Sequence, residues 1–456
     1  MIPGDALVEA ALVASSADET LVVVTDTAEA SLRWADNSMT TNGSVRARTA
    51  TVVAIRRTAG SSHCGVVTAA VTDGDDIAAL TAAAADAADR APAAPDAMPL
   101  LAGDGPDEQW GLPAAGTDID VFTPVVDDLT GGFDEADALY GFAHHQVHTL
   151  WLGSSTGLRR RWVQRDGSIE INGKRGGLSG PSAWVGAGTV DFTDLAMPAL
   201  RTELARRLDW AGTRIELPAG RYETILPSSV VADLMIPLLW SLDGRGAEEG
   251  RSVWAGPDGT RLGQRIAALP VTLTSDPAAP GLGYAPFVTA TTSTDSISLF
   301  DTGMSCGRVD WIRDGALHAL AYPRSAAAEF GAVATAPGEN LLLTGGNGAD
   351  LDDLVAGTER GLLLTTVWYL REVDPAVLLL TGLTRDGVYL VEDGQVRGAV
   401  NNFRFNESPV DLLGRATEIG ATERTLPREW KDWFTRTAMP PMRIPDFHMS
   451  SVSTAQ

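Results

Sequence analysis

Four short stretches carry residue types that could do chemistry. His144-His145-Gln146-Val147-His148 is the densest histidine cluster of the chain, and two His four residues apart on a helix could bind zinc. The residues that follow, TLWLGSS, alternate like a strand, which places His144 and His148 on one face but ~13 Å apart. No further Cys or His lies nearby, so the cluster reads as the polar side of an edge or entry strand. Gly153-Ser154-Ser155-Thr156-Gly157 matches the G-x-S-x-G nucleophile pattern, which works only on a strand-to-helix elbow. RRRWVQRDGSIEING follows, a strand and then a turn, so a hairpin loop fits better. Cys306 has no histidine near it in sequence and reads as a buried structural thiol. GGNG at 345–348 runs into Ala349-Asp350-Leu351-Asp352-Asp353; acid is the wrong sign for a phosphate cradle and the right one for a helix start.

The fifth stretch is NNFRFN at 401–406, which follows a well-patterned strand region and is far more polar than a core strand needs. Alternation puts Asn402, Arg404 and Asn406 on one face and Phe403 and Phe405 on the other. With Asn401, the polar side offers amide and guanidinium groups able to bond a peptide backbone or a partner's carbonyls. Two readings stand side by side: the polar face lines a substrate- or partner-binding surface, or these groups cap local turns.

The elements that must position such residues are short. The 456-residue chain is too long for one core, so two or three domains are expected. The reading is α+β: an N-terminal domain over 1–212 and a β-rich C-terminal domain over 213–456 with covering helices. In the first, a helix at 5–16 precedes β-segments TLVVVTDT, EASLRWADN and VRARTATVVAIRR, separated by turn residues such as DNSMTTNGS, and a helix from about residue 75. Residues 91–122, rich in Pro, Ala, Gly and Asp, read as an exposed connection. FDEADALYGFA (133–143) reads as a helix, HQVHTLWLGSS onward as strands, and FTDLAMPALRTELARRLDW as a closing helix. In the second, GRYETIL is a strand, Ser228 to Leu242 a helix kinked at Pro237, and SISLFDTG, ENLLLTGG and LTRDGVYLVEDG supply strands, the last as a hairpin. LDDLVAGT and PVDLLGRATEIG are short covering helices.

A net charge of -24 argues against a nucleic-acid partner, since phosphate binding needs a basic surface. Two cysteines, no basic n-region at the N-terminus and no membrane-length apolar run point to a cytoplasmic protein without a membrane anchor.

The segment GLLLTTVWYLREVDPAVLLLTGLTRDGVYLVEDGQVRGAVNNFRFNESPVDLL (361–413) resembles the TldD/PmbA family, also called peptidase U62 or modulator of DNA gyrase. EEGRSVW (248–254) and MPPMRIPDFHMSS (439–451) extend the resemblance, which covers the C-terminal region well and the N-terminal region loosely. It implies a two-subunit zinc protease for unfolded peptides, with substrate held as an added strand. One subunit carries HExxxH on a helix at the start of the C-terminal domain, with a cysteine further along; its partner, of TldE or PmbA type, has the same fold without the ligands. Here the corresponding window, SSVVADLMIPLLWSL, has neither His nor Glu, no histidine in the chain begins HExxxH, and no cysteine follows Cys306. A catalytic zinc needs three protein ligands and a nearby base.

The expectation is therefore a chain with no catalytic or metal-ligating residue and no cofactor of its own. Its partners would be an HExxxH-bearing TldD-type paralogue that holds the zinc, and unfolded peptides; an isolated chain could pair with itself through a self-similar surface. Two alternatives remain: a hydrolase using Ser155 with His148, and a protein that only captures extended peptides by strand addition.

Overall fold

Alternating apolar residues over the first 190 positions build an antiparallel sheet of unusually long strands. The computed structural model describes residues 2–133, 137–177, 180–257 and 259–453. Helix α1 (Gly4–Ala14) leads into β1 (Glu19–Ala35), β2 (Ser38–Thr58) and β3 (Ser61–Ala70), followed by α2 (Gly74–Arg90) and α3 (Thr123–Gly132). Strands β4 (Ala138–Ser154), β5 (Leu158–Lys174) and β6 (Ser182–Thr189) complete the sheet in the order β3-β2-β1-β4-β5-β6, and α4 (Met197–Ala211) closes this half. Side chains alternate across the sheet. Val22, Val24, Val52 and Trp151 face α1 and α2, and further along the same face Leu32 and Trp34 meet α3 and α4.

The opposite face is covered from a distance. Phe287 packs on Val23 and Leu152, and Leu299 and Phe300 pack on Leu21, Val53 and Ile55.

The C-terminal sheets surround one nearly all-apolar helix. Strand β7 (Gly220–Leu226) precedes α5 (Ser228–Trp240), of whose 13 residues 11 are buried; a helix apolar all round belongs inside a core. After α6 (Gly244–Glu248) come β8 (Thr272–Ser275), β9 (Val309–Arg313), α7 (Arg324–Phe330), β10 (Leu341–Thr344) and α8 (Leu351–Ala356). Strands β11 (Arg360–Leu364), β12 (Val367–Asp374), β13 (Leu379–Thr384), β14 (Val388–Glu392), β15 (Gln395–Val400) and β16 (Phe403–Glu407) follow. The chain ends with α9 (Pro409–Arg415), β17 (Glu423–Thr425), β18 (Thr437–Met439) and β19 (Met442–Val452).

The larger sheet runs β12-β13-β16-β19-β7-β11-β14-β15. Since β11 continues into β12 through Thr365–Thr366, the ladder comes back to the segment it left, and the sheet wraps round a core that includes Phe403, Phe405, Phe447 and Met449. The smaller sheet, β9-β8-β10-β18-β17, packs on the other side of α5.

Several sequence expectations change. TLVVVTDT and EASLRWADN form one strand, β1, because Asp26 lies opposite Arg48 in the ladder and pairs with it (Nη2–Oδ2 2.6 Å). The β1–β2 turn is only Asp36-Asn37, both at positive φ (51° and 59°), and MTTNGS belongs to β2.

The helix expected over 133–143 is contradicted from Ala138 on, where β4 pairs with both β1 and β5; Asp134 to Ala136 lie outside the described residues. SISLFDTG holds a short 3-10 turn (Leu299–Asp301) rather than a strand.

LTRDGVYLVEDG is not a hairpin either. Leu383 pairs with Trp368 and Val388 with Leu364, so β13 and β14 are two halves of one long arm. Asp386 (φ 52°) bends that arm, while Thr365 and Thr366 donate to the carbonyls of Gly387 and Arg385. The tight turn comes later, at Asp393-Gly394.

Residues 91–122 are mostly exposed but tied down: Trp110 O accepts from Trp151 Nε1 (3.1 Å) and Pro113 O from Arg161 Nη2 (2.6 Å). The α+β class holds, and α8 starts as expected, with Asp350 and Asp353 in a reciprocal capping box.

Candidate functional site

Helix α5 carries a single charged residue, Asp233, and it is wholly buried. Its carboxylate accepts the backbone N–H groups of Arg428 (3.1 Å) and Glu429 (2.9 Å). Burial nonetheless pushes this carboxyl well above the ordinary range. Four residues later Pro237 has no N–H, which leaves the Asp233 carbonyl without its helical donor. Trp430 Nε1 fills that place at 2.9 Å. One residue thus staples the 428–430 segment to α5 through both its side chain and its backbone.

The stapled segment presents Arg428 between two indoles. Its guanidinium carbon lies 4.5 Å from the Trp368 ring centre and 5.2 Å from that of Trp184, a cation–π sandwich. Trp184 stands on β6 and Trp368 on β12, so this contact joins the two halves of the molecule. Arg428 Nη2 reaches Asn172 Oδ1 at 3.5 Å, while Nη1 and the neighbouring Trp368 Nε1 are buried without partners among the described residues. Burial lowers the Arg428 pKa to about 10. Orphaned donors on a buried cation suit an acceptor, either water or a carbonyl oxygen.

Outside the staple the surface is aromatic. Trp240 meets Trp430 edge-on at 5.0 Å, and Trp433 stands 73 % exposed beside them. A cavity of about 170 Å³ lies between Pro237, Trp240, Leu370, Leu380 and Trp430. Strand β12 borders it and, among the described residues, pairs only with β13, which leaves its other edge without a strand partner there; Leu370 N–H is taken by Glu429 Oε1 (3.2 Å). An open edge beside an aromatic wall can accept an extended peptide.

A larger cleft of about 550 Å³ separates β6 and α4 from the start of α5. Arg206–Asp352 and Arg424–Asp194, both 2.7 Å, span it as exposed ion pairs.

The histidines do not converge. His145 bonds Thr117 Oγ1 (2.7 Å) and Val190 O (2.8 Å), and His148 bonds Thr27 Oγ1 (2.9 Å); burial lowers the pKa of both. His144 stacks on Phe142. Ser155 lies in the β4–β5 hairpin, where its Oγ accepts from Thr20 N–H (2.9 Å). It lies seven residues on from His148, just past the end of β4 and ~23 Å away along an extended strand, so the two form no dyad. Burial pushes the Cys306 thiol up to about 11. Among the described residues, no group of three or more His, Cys, Asp or Glu is placed to hold a metal.

In NNFRFN the alternation is as expected, with Phe403 and Phe405 fully buried and Arg404 exposed. Asn401 Oδ1 caps Leu217 N–H (2.7 Å), and Asn402 Oδ1 accepts from Thr384 Oγ1 (3.4 Å). Arg404 reaches Thr381 Oγ1 only at 3.5 Å, and Asn406 lies opposite Thr381 in the ladder. None of the four lines either cavity just described. Asp233, Arg428 and the Trp184/Trp368/Trp430 group escaped the sequence reading. The available signal was a lone Asp in an apolar helix four residues before a proline.

The family model for the PmbA/TldA metallopeptidase C-terminal domain matches residues 219–451. The fold is that of TldE from Thermococcus kodakarensis, with a TM-score of 0.77 and 16% identity over 97% of this chain and 99% of that one. A protein assigned as a modulator of DNA gyrase from Bacteroides thetaiotaomicron gives 0.75 and 14% over 98% of each chain. Its counterpart from Thermotoga maritima gives 0.71 and 14% over 94% of this chain and 95% of that one. No curated protein sequence matches the chain.

Proposed function

Because the chain belongs to the TldD/PmbA metallopeptidase family, we propose that it is the zinc-less subunit of a two-subunit protease for unfolded peptides. Its partner in this reading is an HExxxH-bearing paralogue that supplies the zinc. The observation that carries the proposal is the use made of α5. Zinc chemistry would need His and Glu on that helix. Its one ionisable side chain, Asp233, is instead spent on two backbone N–H groups and walled off from solvent. The donor set present does not fit a catalytic zinc.

The open edge of β12 and its aromatic border support a part in holding peptide, and an apolar core built around α5 supports a scaffold that stays folded without metal. The exposed Arg404 face is offered as a contact surface in the same complex. We place the complex in the cytoplasm, a compartment that suits a chain with two cysteines and no disulfide framework in its sequence.

The test is zinc stoichiometry on untagged chain purified without chelator, followed by co-expression with an HExxxH paralogue. Peptidase activity only in the co-purified complex is the expected result. About one tightly held zinc per chain, or peptidase activity of the chain alone, would withdraw the proposal.

A second reading, peptide capture without any protease, is favoured by the β12 edge itself. It predicts micromolar binding of unfolded peptides by the isolated chain and no stable association with the paralogue.

A further inference from the structure

A separate cavity of about 320 Å³ opens beyond the C-terminal end of α5, on the far side of Trp240 from the staple. Its volume suits a small ligand. Trp240, Tyr284 and Trp311 supply aromatic wall, and Asp243, Glu339 and Thr289 supply oxygen. The polar groups are under-used. Thr289 Oγ1 is buried with no partner among the described residues.

Glu339 meets one cation, Arg436 Nη2, at 3.4 Å through Oε2. That arginine is already committed, with Nη1 2.8 Å from both oxygens of Asp166. Glu339 Oε1 has no partner among the described residues, although the side chain keeps 58% of its surface. Asp243 Oδ1 accepts Gly246 N–H (2.5 Å), and the charged groups near it are Arg251 and Asp295. Burial pushes the Asp243 carboxyl above its ordinary range, while Glu339 stays open to solvent at the mouth of the cavity. The carbonyl end of α5 adds negative potential at the same place.

Acid and aromatic walls with an orphaned hydroxyl are the surroundings that stabilise an organic cation. We propose that this cavity binds a primary ammonium or guanidinium carried on an alkyl stem. The stem would lie on Trp240 and Trp311, and the charged head would meet Glu339 and Asp243. The source of that chemistry is either a free amine or a basic side chain of a peptide.

Calorimetric titration of the isolated chain tests this with four probes: n-pentylammonium, n-pentanol, Nα-acetyl-lysine N-methylamide and its norleucine analogue. Both charged probes, or one of them, should saturate a single site while each neutral analogue binds at least about tenfold more weakly, the factor a charge-assisted hydrogen bond carries. The lysine amide binding more tightly than pentylammonium identifies a peptide source, and the reverse a free amine. Glu339→Gln should weaken the charged probe about tenfold, and Asp243→Asn, which keeps an acceptor for Gly246 N–H, should weaken it too. Neutral probes binding as well as charged ones, no binding of any probe, or unchanged affinity in both folded variants would overturn the proposal.

Discussion

Replacing Trp430 with Phe removes the indole N–H that serves the Asp233 carbonyl, and the structure says how that loss can be repaired. A buried carbonyl left unpaired costs ~1–3 kcal/mol. The smaller ring adds under about 1 kcal/mol because Trp430 is only half-buried, so W430F should lose about 1–4 kcal/mol in all. The carbonyl is orphaned in the first place because residue 237 is a proline. Pro237→Ala restores an N–H at the position that bonds the Asp233 carbonyl in an ordinary helix. In the P237A background W430F should therefore cost ~1–2 kcal/mol less than in the parent. The assay is urea denaturation of four proteins, parent, W430F, P237A and the double variant, read by near-ultraviolet circular dichroism. Additivity within about 0.5 kcal/mol would refute the reasoning, because it would mean that the indole N–H and the missing proline N–H do not serve the same oxygen.

Arg428→Met should leave stability within about 1 kcal/mol of the parent or raise it. It removes a buried charge with an unmet donor and keeps the stem between the two indoles; a loss above about 3 kcal/mol in the urea midpoint analysis would show that the cation is worth its burial. Both thiols should be sluggish toward iodoacetamide: with pKa pushed up to about 11, about one thiol in a thousand is ionised at pH 8, and the rate should climb roughly tenfold per pH unit to pH 10. Reaction at pH 8 as fast as a free cysteine peptide would contradict the burial argument. Arg404→Ala should weaken co-purification with the HExxxH paralogue without shifting the unfolding midpoint by more than about 0.5 kcal/mol. Unchanged pairing and unchanged peptide turnover would leave that face a local structural one.

What the sequence made legible, and what it did not, divides by the range of the interaction. The alternation of NNFRFN, the acidic start of α8 and the hairpin around Ser155 all depend on neighbours within a few residues, and each reappears in the structure. The misreadings came where a distant partner decided. Asp26 looks like a turn residue until Arg48 stands opposite it. Ala138 to Ala143 has helical spacing until two strands claim it on either side. Asp386-Gly387 carries a hairpin signal, yet Thr365 and Thr366 use it to bend one long arm. The Asp233 staple joins residues 195 to 197 positions apart, beyond any local pattern.

The face of the N-terminal sheet that holds Leu21, Val23, Val53, Ile55 and Leu152 is covered in part by Leu100 and in part by Phe287, Leu299 and Phe300. On the ribosome the share supplied by Phe287, Leu299 and Phe300 is made late. At ~5–20 residues per second, the roughly 125 positions between the end of β5 and Phe300 take about 6–25 s to emerge. Throughout that interval a sheet whose cover is incomplete displays apolar surface to the crowded cell. Newly made chains should therefore depend on a holding chaperone that clasps this surface and yields it when the 287–300 segment arrives. Truncation just before Phe287 should yield an insoluble product even though every strand of the first sheet is present.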